Sequence, residues 1–398
     1  MSAKPQVVDL FCGVGGMTLG FTRAGFSVAA AFDNWVCAVD TYRANLGNHV
    51  QQLDITDDLE VPQATVMIGG PPCQGFSSAG ARRANDHRNT LVSVYARLIA
   101  RHKPEAFVFE NVEGFLTSDS GRFIFDLLDP LIEAGYRIHL KKVNAANYGV
   151  PQHRKRVLGI GGLGWDPTFP GSTHSAHGAP GALLAGTRLP VTPSLADALE
   201  GLPPPTNGAS EDDNSYRALI GIDLKRAKLL KQGQRMRDLP EELWHNSYRR
   251  RAYRRVMDGM PVEKRGGAPS GVRRLRADEP SKAITGAAIN EFIHPVEDRP
   301  LTVRECARVQ TFPDDFKFLG SRRDCAQLIG NAVPPRFAEI IARSLLRDLR
   351  APNVSKRPGA LLSFTPTLSI GMSPILDAVT RKVEKSYGGR IEQGVLWS

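Results

Sequence analysis

The first two dozen residues constrain the fold more than any other stretch. An apolar, β-prone run at 6–11 breaks into Phe11-Cys12-Gly13-Val14-Gly15-Gly16 and passes directly into a helical pattern at 17–24. A strand that ends in a glycine-rich turn and enters a helix is the opening of a parallel β–α unit, because parallel strands need a crossover between them. The alternation continues with β-prone runs at 27–32, 64–68, 106–109, 136–144 and 156–161, and helical stretches at 35–45, 89–101 and 122–134. This pattern predicts an α/β fold: a doubly wound, Rossmann-like parallel sheet with helices on both faces. From about 165 to 296 the periodicity dissolves into segments rich in Pro, Gly and Ser, such as Pro203-Pro204-Pro205 and Gly266-Gly267, and helical patterns return at 301–310 and 335–349. The periodicity marks an α/β domain at 1–164, a smaller, loop-rich domain at 165–298 and a helical stretch at 299–350. An extension of open role follows at 351–398.

A chain of 398 residues is comfortable for two domains. No apolar run approaches a membrane span, and the first residues enter a strand almost at once, so neither a membrane segment nor a cleaved signal is expected. The cysteines (Cys12, Cys37, Cys73, Cys306, Cys325) are scattered, odd in number and without a Cys-x-x-Cys, which points to a reducing compartment and away from structural zinc. The net charge of +10 comes from one segment. Residues 215–276 hold 17 of the 51 Lys/Arg against 6 of the 41 Asp/Glu, while the rest of the chain is nearly balanced. Tyr216, Trp244, Tyr248 and Tyr253 interleave with these charges, so a nucleic-acid contact surface is expected.

Three motifs carry chemistry. In the glycine turn, Gly13, Gly15 and Gly16 let the backbone pass close to a ligand, and Asp33, at the end of the second predicted strand, is placed to bind ribose hydroxyls. Thr18 stands where a dinucleotide fingerprint has its third glycine, and no Gly-Lys-Ser/Thr follows to cradle phosphates. Cys73 follows a predicted strand and the stiff step Gly69-Gly70-Pro71-Pro72, at the strand end where open α/β sheets bind ligands. A thiolate there can add to an electron-poor ring carbon, whereas Cys37, Cys306 and Cys325 read as inert small hydrophobes. Glu110 directly follows the apolar Phe107-Val108-Phe109, a placement that suits a carboxyl exchanging a proton with a ring nitrogen. Position 76 is Phe, so the Pro-Cys-x-x-Cys of zinc deaminases is missing.

With these motifs in hand, the chain resembles the DNA (cytosine-5) methyltransferases of the bacterial restriction–modification (type II) kind. The resemblance runs from about residue 7 to 345, leaving out the variable middle. It is carried by Asp9-Leu10-Phe11-Cys12-Gly13-Val14-Gly15-Gly16, by GGPPCQGFS at 69–77 and by Glu110-Asn111-Val112. Gln152-His153-Arg154-Lys155-Arg156, RPLTVRECARVQTFPDDF at 299–316 and Gln327 to Pro335 complete the set in the family's order. It implies that Cys73 attacks carbon 6 of a flipped-out cytosine, that Glu110 manages ring nitrogen 3, and that Arg156 and Arg154 hold the base. Carbon 5 then takes a methyl group from S-adenosyl-L-methionine, leaving S-adenosyl-L-homocysteine, with no metal. The cofactor contacts it implies are Phe11, Gly13, Gly15, Gly16, Asp33, Asn34, Asp54, Ile55, Pro72, Leu91 and Asn331. Asn34 stands where the family often has an aromatic residue on the adenine, with Trp35 or Phe32 as substitutes. The implied DNA contacts are Gln74, Ser77, Arg88 within a mobile loop at 78–90, Gln152 and Thr285; the resemblance also makes 1–164, completed by 299–350, the catalytic and cofactor-binding domain and the variable region at 165–298 a target-recognition domain. The resemblance further implies double-stranded DNA as partner, a functionally paired restriction endonuclease without a stable complex, a monomer, and a cytoplasmic enzyme that joins the nucleoid when bound to DNA. Two other readings compete: the related tRNA-methylating branch, disfavoured by Gly75 and the long basic middle, and a non-catalytic paralogue, disfavoured by the retention of Cys73, Glu110 and the turn glycines.

Overall fold

A computed structural model describes residues 4–72, 91–176, 188–208, 212–249, 271–351, 356–369, 371–388 and 390–391. The chain divides into two compact units: Met1–Gly149 with Arg154–Val191 and Ala332–Ser398, and Val150–His153 with Thr192–Asn331. Both differ from the expected boundaries. Residues 165–191 and 351–398 group with the first unit, and 299–331 with the second.

The first unit is built on a nine-stranded sheet. Its strands are β1 (Gln6–Leu10), β2 (Ser27–Asp33), β3 (Val50–Gln52), β4 (Val66–Gly69), β5 (Ala106–Val112), β6 (Tyr136–Asn144), β7 (Lys155–Leu163), β8 (Ala360–Thr365) and β9 (Arg390–Ile391). The spatial order is β9-β8-β6-β7-β5-β4-β1-β2-β3. The expected all-parallel sheet is corrected at one strand: β7 runs antiparallel to both β5 and β6, and every other pairing is parallel.

Alternation along the strands divides the apolar residues between two faces. Val8, Leu10, Met67, Phe107 and Phe109 form one buried cluster with Val92, Tyr95 and Ile99 of helix α3 (Leu91–His102) and Ile124, Leu127 and Leu131 of α4 (Arg122–Glu133). Each fully buried Leu or Phe there contributes about 1.5–3 kcal/mol. On the opposite face Asp9 accepts a bond from Thr18 of α1 (Gly16–Ala24), which places that helix there. Alpha-helix α5 (Pro335–Leu349) packs on α1 so closely that a Cβ on Gly20 would lie 2.5 Å from that of Ala338.

The C-terminal extension joins this core. Leu361 and Phe364 of β8, and Leu376, Val379 and Val383 of helix α6 (Pro374–Tyr387), belong to the cluster under α3 and α4. Tyr387 Oη donates to Asp129 Oδ1 at 2.6 Å.

The second unit holds short strands and helices around a small core of Ala227, Leu230, Met236, Leu239, Leu243 and Ile293. Part of the basic block is spent here. Arg274 donates to the carbonyls of Leu230, His294, Glu297 and Ala227, and Arg226 to that of Leu243. Trp244 and Tyr248 meet edge-to-face and are both packed, partly buried, against this core. The motif at 299–316 is likewise structural: buried Arg299 makes a bidentate pair with Glu305, at 2.9 and 2.8 Å, and Glu305 also closes the capping box on Thr302.

Candidate active site

The register of the sheet brings the motifs to one edge. Leu10 lies level with Phe32 and with Gly69, and Gly69 with Phe109. The next residues along these four strands are Phe11, Asp33, Gly70 and Glu110. In open α/β sheets this C-terminal edge is where ligands sit.

The glycine turn leaves β1 with left-handed backbone at Phe11, Gly13 and Gly15, with φ of 60, 54 and 82°. At Phe11 this costs about 1–2 kcal/mol, the kind of strain that clusters at functional sites. Asp33 fixes the turn from the neighbouring strand, its Oδ2 accepting from Gly13 N at 2.8 Å and its Oδ1 from Trp35 N at 2.9 Å. Burial pushes its carboxyl above the usual range, while those bonds pull the other way. A Cβ on Gly13 would meet none of the described residues within 4 Å. Gly15 is the reverse case: its Cβ would fall 2.3 Å from Leu46 Cδ1 and 2.7 Å from Tyr42 Cδ2. Gly15→Ala is therefore expected to lower stability by about 1–3 kcal/mol; a denaturation midpoint equal to that of the wild type would contradict this.

Around the turn, Asn34 Nδ2 donates to Asp54 Oδ1 at 2.9 Å, and Phe11, Ile55 and Leu91 belong to one hydrophobic cluster. Phe32 is buried in that cluster, leaving the half-buried Trp35 as the aromatic residue near Asn34. Pro72 is half-buried, and Asn331 is exposed at the end of the helix Arg322–Asn331, accepting from Gln327 Nε2 at 2.6 Å.

Glu110 is buried and paired. Its Oε1 is 2.7 Å from Arg156 Nε. The reversed strand makes this contact: Glu110 faces Leu158 and Arg156 faces Val112, so the two side chains are diagonal neighbours on one face. The strand step after β4 is held against the same place. Asn111 Nδ2 donates to Pro71 O at 3.3 Å, and a Cβ on Gly70 would lie 3.2 Å from Glu110 Oε2. Cys73, Gln74, Ser77 and Arg88, with the rest of 73–90, lie outside the described residues.

Two expected contacts are placed differently. Arg154 is 1 % exposed and donates to Ala332 O at 3.0 Å, and burial lowers its affinity for its proton well below the usual range, so it serves packing. Gln152 is fully buried: its amide nitrogen donates to Val309 O and Gln310 Oε1, and its oxygen accepts from Ile284 N. It holds the segment before Thr285 in place. Thr285 itself is exposed, with its hydroxyl accepting from Ala287 N at 3.3 Å.

Residues 5–347 match the model of the C-5 cytosine-specific DNA methylases. The chain is 35% identical over 355 residues to the type II methyltransferase M1.HphI of Haemophilus parahaemolyticus, covering 85% of this chain and 86% of that one. It is 30% identical over 423 residues to M.AgeI of Thalassovita gelatinovora, covering 85% and 99%. Among solved structures, it is similar to a candidate DNA modification methyltransferase encoded within an E. coli prophage, with a TM-score of 0.60, 26% identity and coverage of 87% and 100%.

Proposed function

Since the chain belongs to the C-5 cytosine-specific DNA methylases, we propose that it methylates carbon 5 of a flipped-out cytosine at a specific site in duplex DNA, as the modification partner of a restriction endonuclease. The observation that carries this reading is the Glu110–Arg156 pair, placed beside Gly70-Pro71 and one strand-edge away from the Asp33-held glycine turn. The left-handed turn at Gly13 and the Asp33 carboxylate that holds it fit a ribose-bearing cofactor. S-adenosyl-L-methionine, when bound, supplies an electrophilic methyl group.

The residues divide the work as follows. The Cys73 thiolate forms a bond to carbon 6 of cytosine, and electron density moves toward carbon 5 as Glu110 donates a hydrogen bond or proton to nitrogen 3. Arg156, paired with the Glu110 carboxyl, orients it and holds the flipped base. After methyl transfer, carbon 5 loses its proton to solvent, its electron pair re-forms the ring double bond as the Cys73–carbon 6 bond breaks and Cys73 leaves as the thiolate, and any proton on nitrogen 3 returns to Glu110. Extrusion of the base is required because both ring carbons are hidden in a stacked duplex. The exposed Thr285 and the part of the basic block not spent inside the second unit are the proposed target-recognition and phosphate contacts.

Incubation with methyl-labelled S-adenosylmethionine and either duplex DNA or tRNA tests the substrate. Label is expected in DNA, in 5-methylcytosine at a fixed sequence. Label in tRNA alone would refute the proposal.

A further inference from the structure

Asp9 sits in β1 on the face covered by α1 and is 1 % exposed. Its Oδ2 accepts from Thr18 Oγ1 at 2.6 Å, while its Oδ1 is buried with no hydrogen-bond partner among the described residues. The reaction described above gives it no task. Thr18 Oγ1 is 3.3 Å from the Tyr42 hydroxyl, which is 2.8 Å from His49 Nε2. Tyr42 is fully buried and His49 half-buried. A continuous hydrogen-bonded chain thus leads from a carboxyl group inside the sheet to an imidazole that reaches solvent.

A buried carboxylate with one unpaired oxygen is costly, and a neutral acid in the same place much less so. The titratable groups in electrostatic reach of Asp9 are acidic or neutral: Asp33 from β2, Cys12 from the turn, Tyr42 from the helix Val36–Leu46 and, from the other face of the sheet, Tyr95 of α3. Among the described residues none of those acting on it is basic. Burial first, then the Asp33 carboxylate, raise its pKa from 3.8 to about 7, against the opposing bond from Thr18.

We propose that Asp9 is a positioning residue whose charge changes through the Thr18–Tyr42–His49 chain, so that the glycine turn distinguishes a cationic sulfonium cofactor from its neutral thioether product. With Asp9 neutral, Asp9 donates to Thr18, Thr18 to Tyr42 and Tyr42 to His49 Nε2, and the imidazole proton sits on Nδ1. Ionisation moves each proton one step along the chain. Asp9 becomes an anion, both hydroxyls stay neutral with their direction reversed, and His49 gains a proton on Nε2 as its Nδ1 proton passes to water. Only O–H and N–H bonds change. The cofactor half of the proposal rests on the reading of the glycine turn given above; the proton chain does not.

Because the folded-state pKa lies above the unfolded one, the folded protein holds an extra proton between 3.8 and about 7. Stability from this group is full below that window and falls as pH rises through it. In the full-length protein without cofactor, infrared difference spectra should show a carboxylic-acid band that disappears as pH rises through about 7 and is missing in Asp9→Asn. Titration calorimetry at about pH 6 and about pH 8 should show the preference for S-adenosylmethionine over S-adenosylhomocysteine rising by roughly tenfold in the wild type and staying level in Asp9→Asn. Should Asp9→Asn not fold, Tyr42→Phe decides: it keeps the acid but cuts the chain, so the His49 tautomer, followed by nitrogen NMR, should stop tracking the acid band. Absence of that band in the wild type, or tautomer tracking that survives Tyr42→Phe, would overturn the proton chain. Binding of neither compound at any pH, with band and tautomer shift intact, would instead overturn the cofactor reading and uphold the chain.

Discussion

Glu110→Gln is expected to lower the turnover of methyl transfer by about 10²–10⁴-fold while leaving the protein folded. The amide has the size of the carboxyl, and its oxygen can still accept from Arg156 Nε, now 2.7 Å from Glu110 Oε1. What is lost is the acid that meets nitrogen 3, so carbon 5 is no longer activated as density moves through the ring. The change also leaves the Arg156 guanidinium in a largely buried place without its counter-charge, which should lower stability by about 1–3 kcal/mol. Turnover at saturating DNA and cofactor, set beside a denaturation curve, separates the two effects. Wild-type turnover in Glu110→Gln would show that the Glu110–Arg156 pair serves only packing.

The second large effect is at Cys73. Cys73→Ser should remove turnover by at least about 10³-fold while cofactor binding and duplex binding persist. A serine hydroxyl is almost wholly protonated near neutral pH and is a far weaker nucleophile toward carbon 6 than a thiolate. The stiffness of the approach makes the substitution informative. Pro71 is tied to Asn111 and Gly70 abuts Glu110, so the step into position 73 does not depend on the sulfur. Loss of DNA binding together with turnover would assign Cys73 a role in folding instead.

The parts of the fold that could be read from sequence are those set by local periodicity. The run at 6–11, its turn and the helix that follows need only apolar alternation and glycines, and they appear as β1, the left-handed turn and α1. The reversal of β7 was not legible, because a buried run such as 156–161 reads the same in either direction. With it went the contact between Glu110 and Arg156, which depends on antiparallel register rather than on spacing. Glu110 was marked by its apolar surroundings, yet nothing local showed that it would be paired. Arginines were the harder case. Arg154 and Arg156 share a motif, but one is sealed against Ala332 and the other reaches the carboxylate. In the basic block Arg273 and Arg274 are adjacent, yet Arg273 stays half-buried while Arg274 is buried and satisfies several carbonyls. Burial of a charge is decided by tertiary partners far along the chain, and composition carries no record of them. The extension after α5 was open for the same reason: β8 gains its place by pairing with β6, more than two hundred residues earlier.

The central claim is a covalent bond between Cys73 and carbon 6 during transfer. A duplex carrying 5-fluorocytosine at the target position tests it directly. Fluorine replaces the proton that must leave carbon 5, so after methyl transfer elimination of the thiolate is blocked and the adduct is trapped. The account predicts a denaturation-resistant protein–DNA complex that forms only with S-adenosylmethionine, maps to Cys73 by mass spectrometry and is absent in Cys73→Ser. Methylation of the unmodified duplex with no trapped complex on the fluorinated one, or a complex that persists in Cys73→Ser, would contradict it.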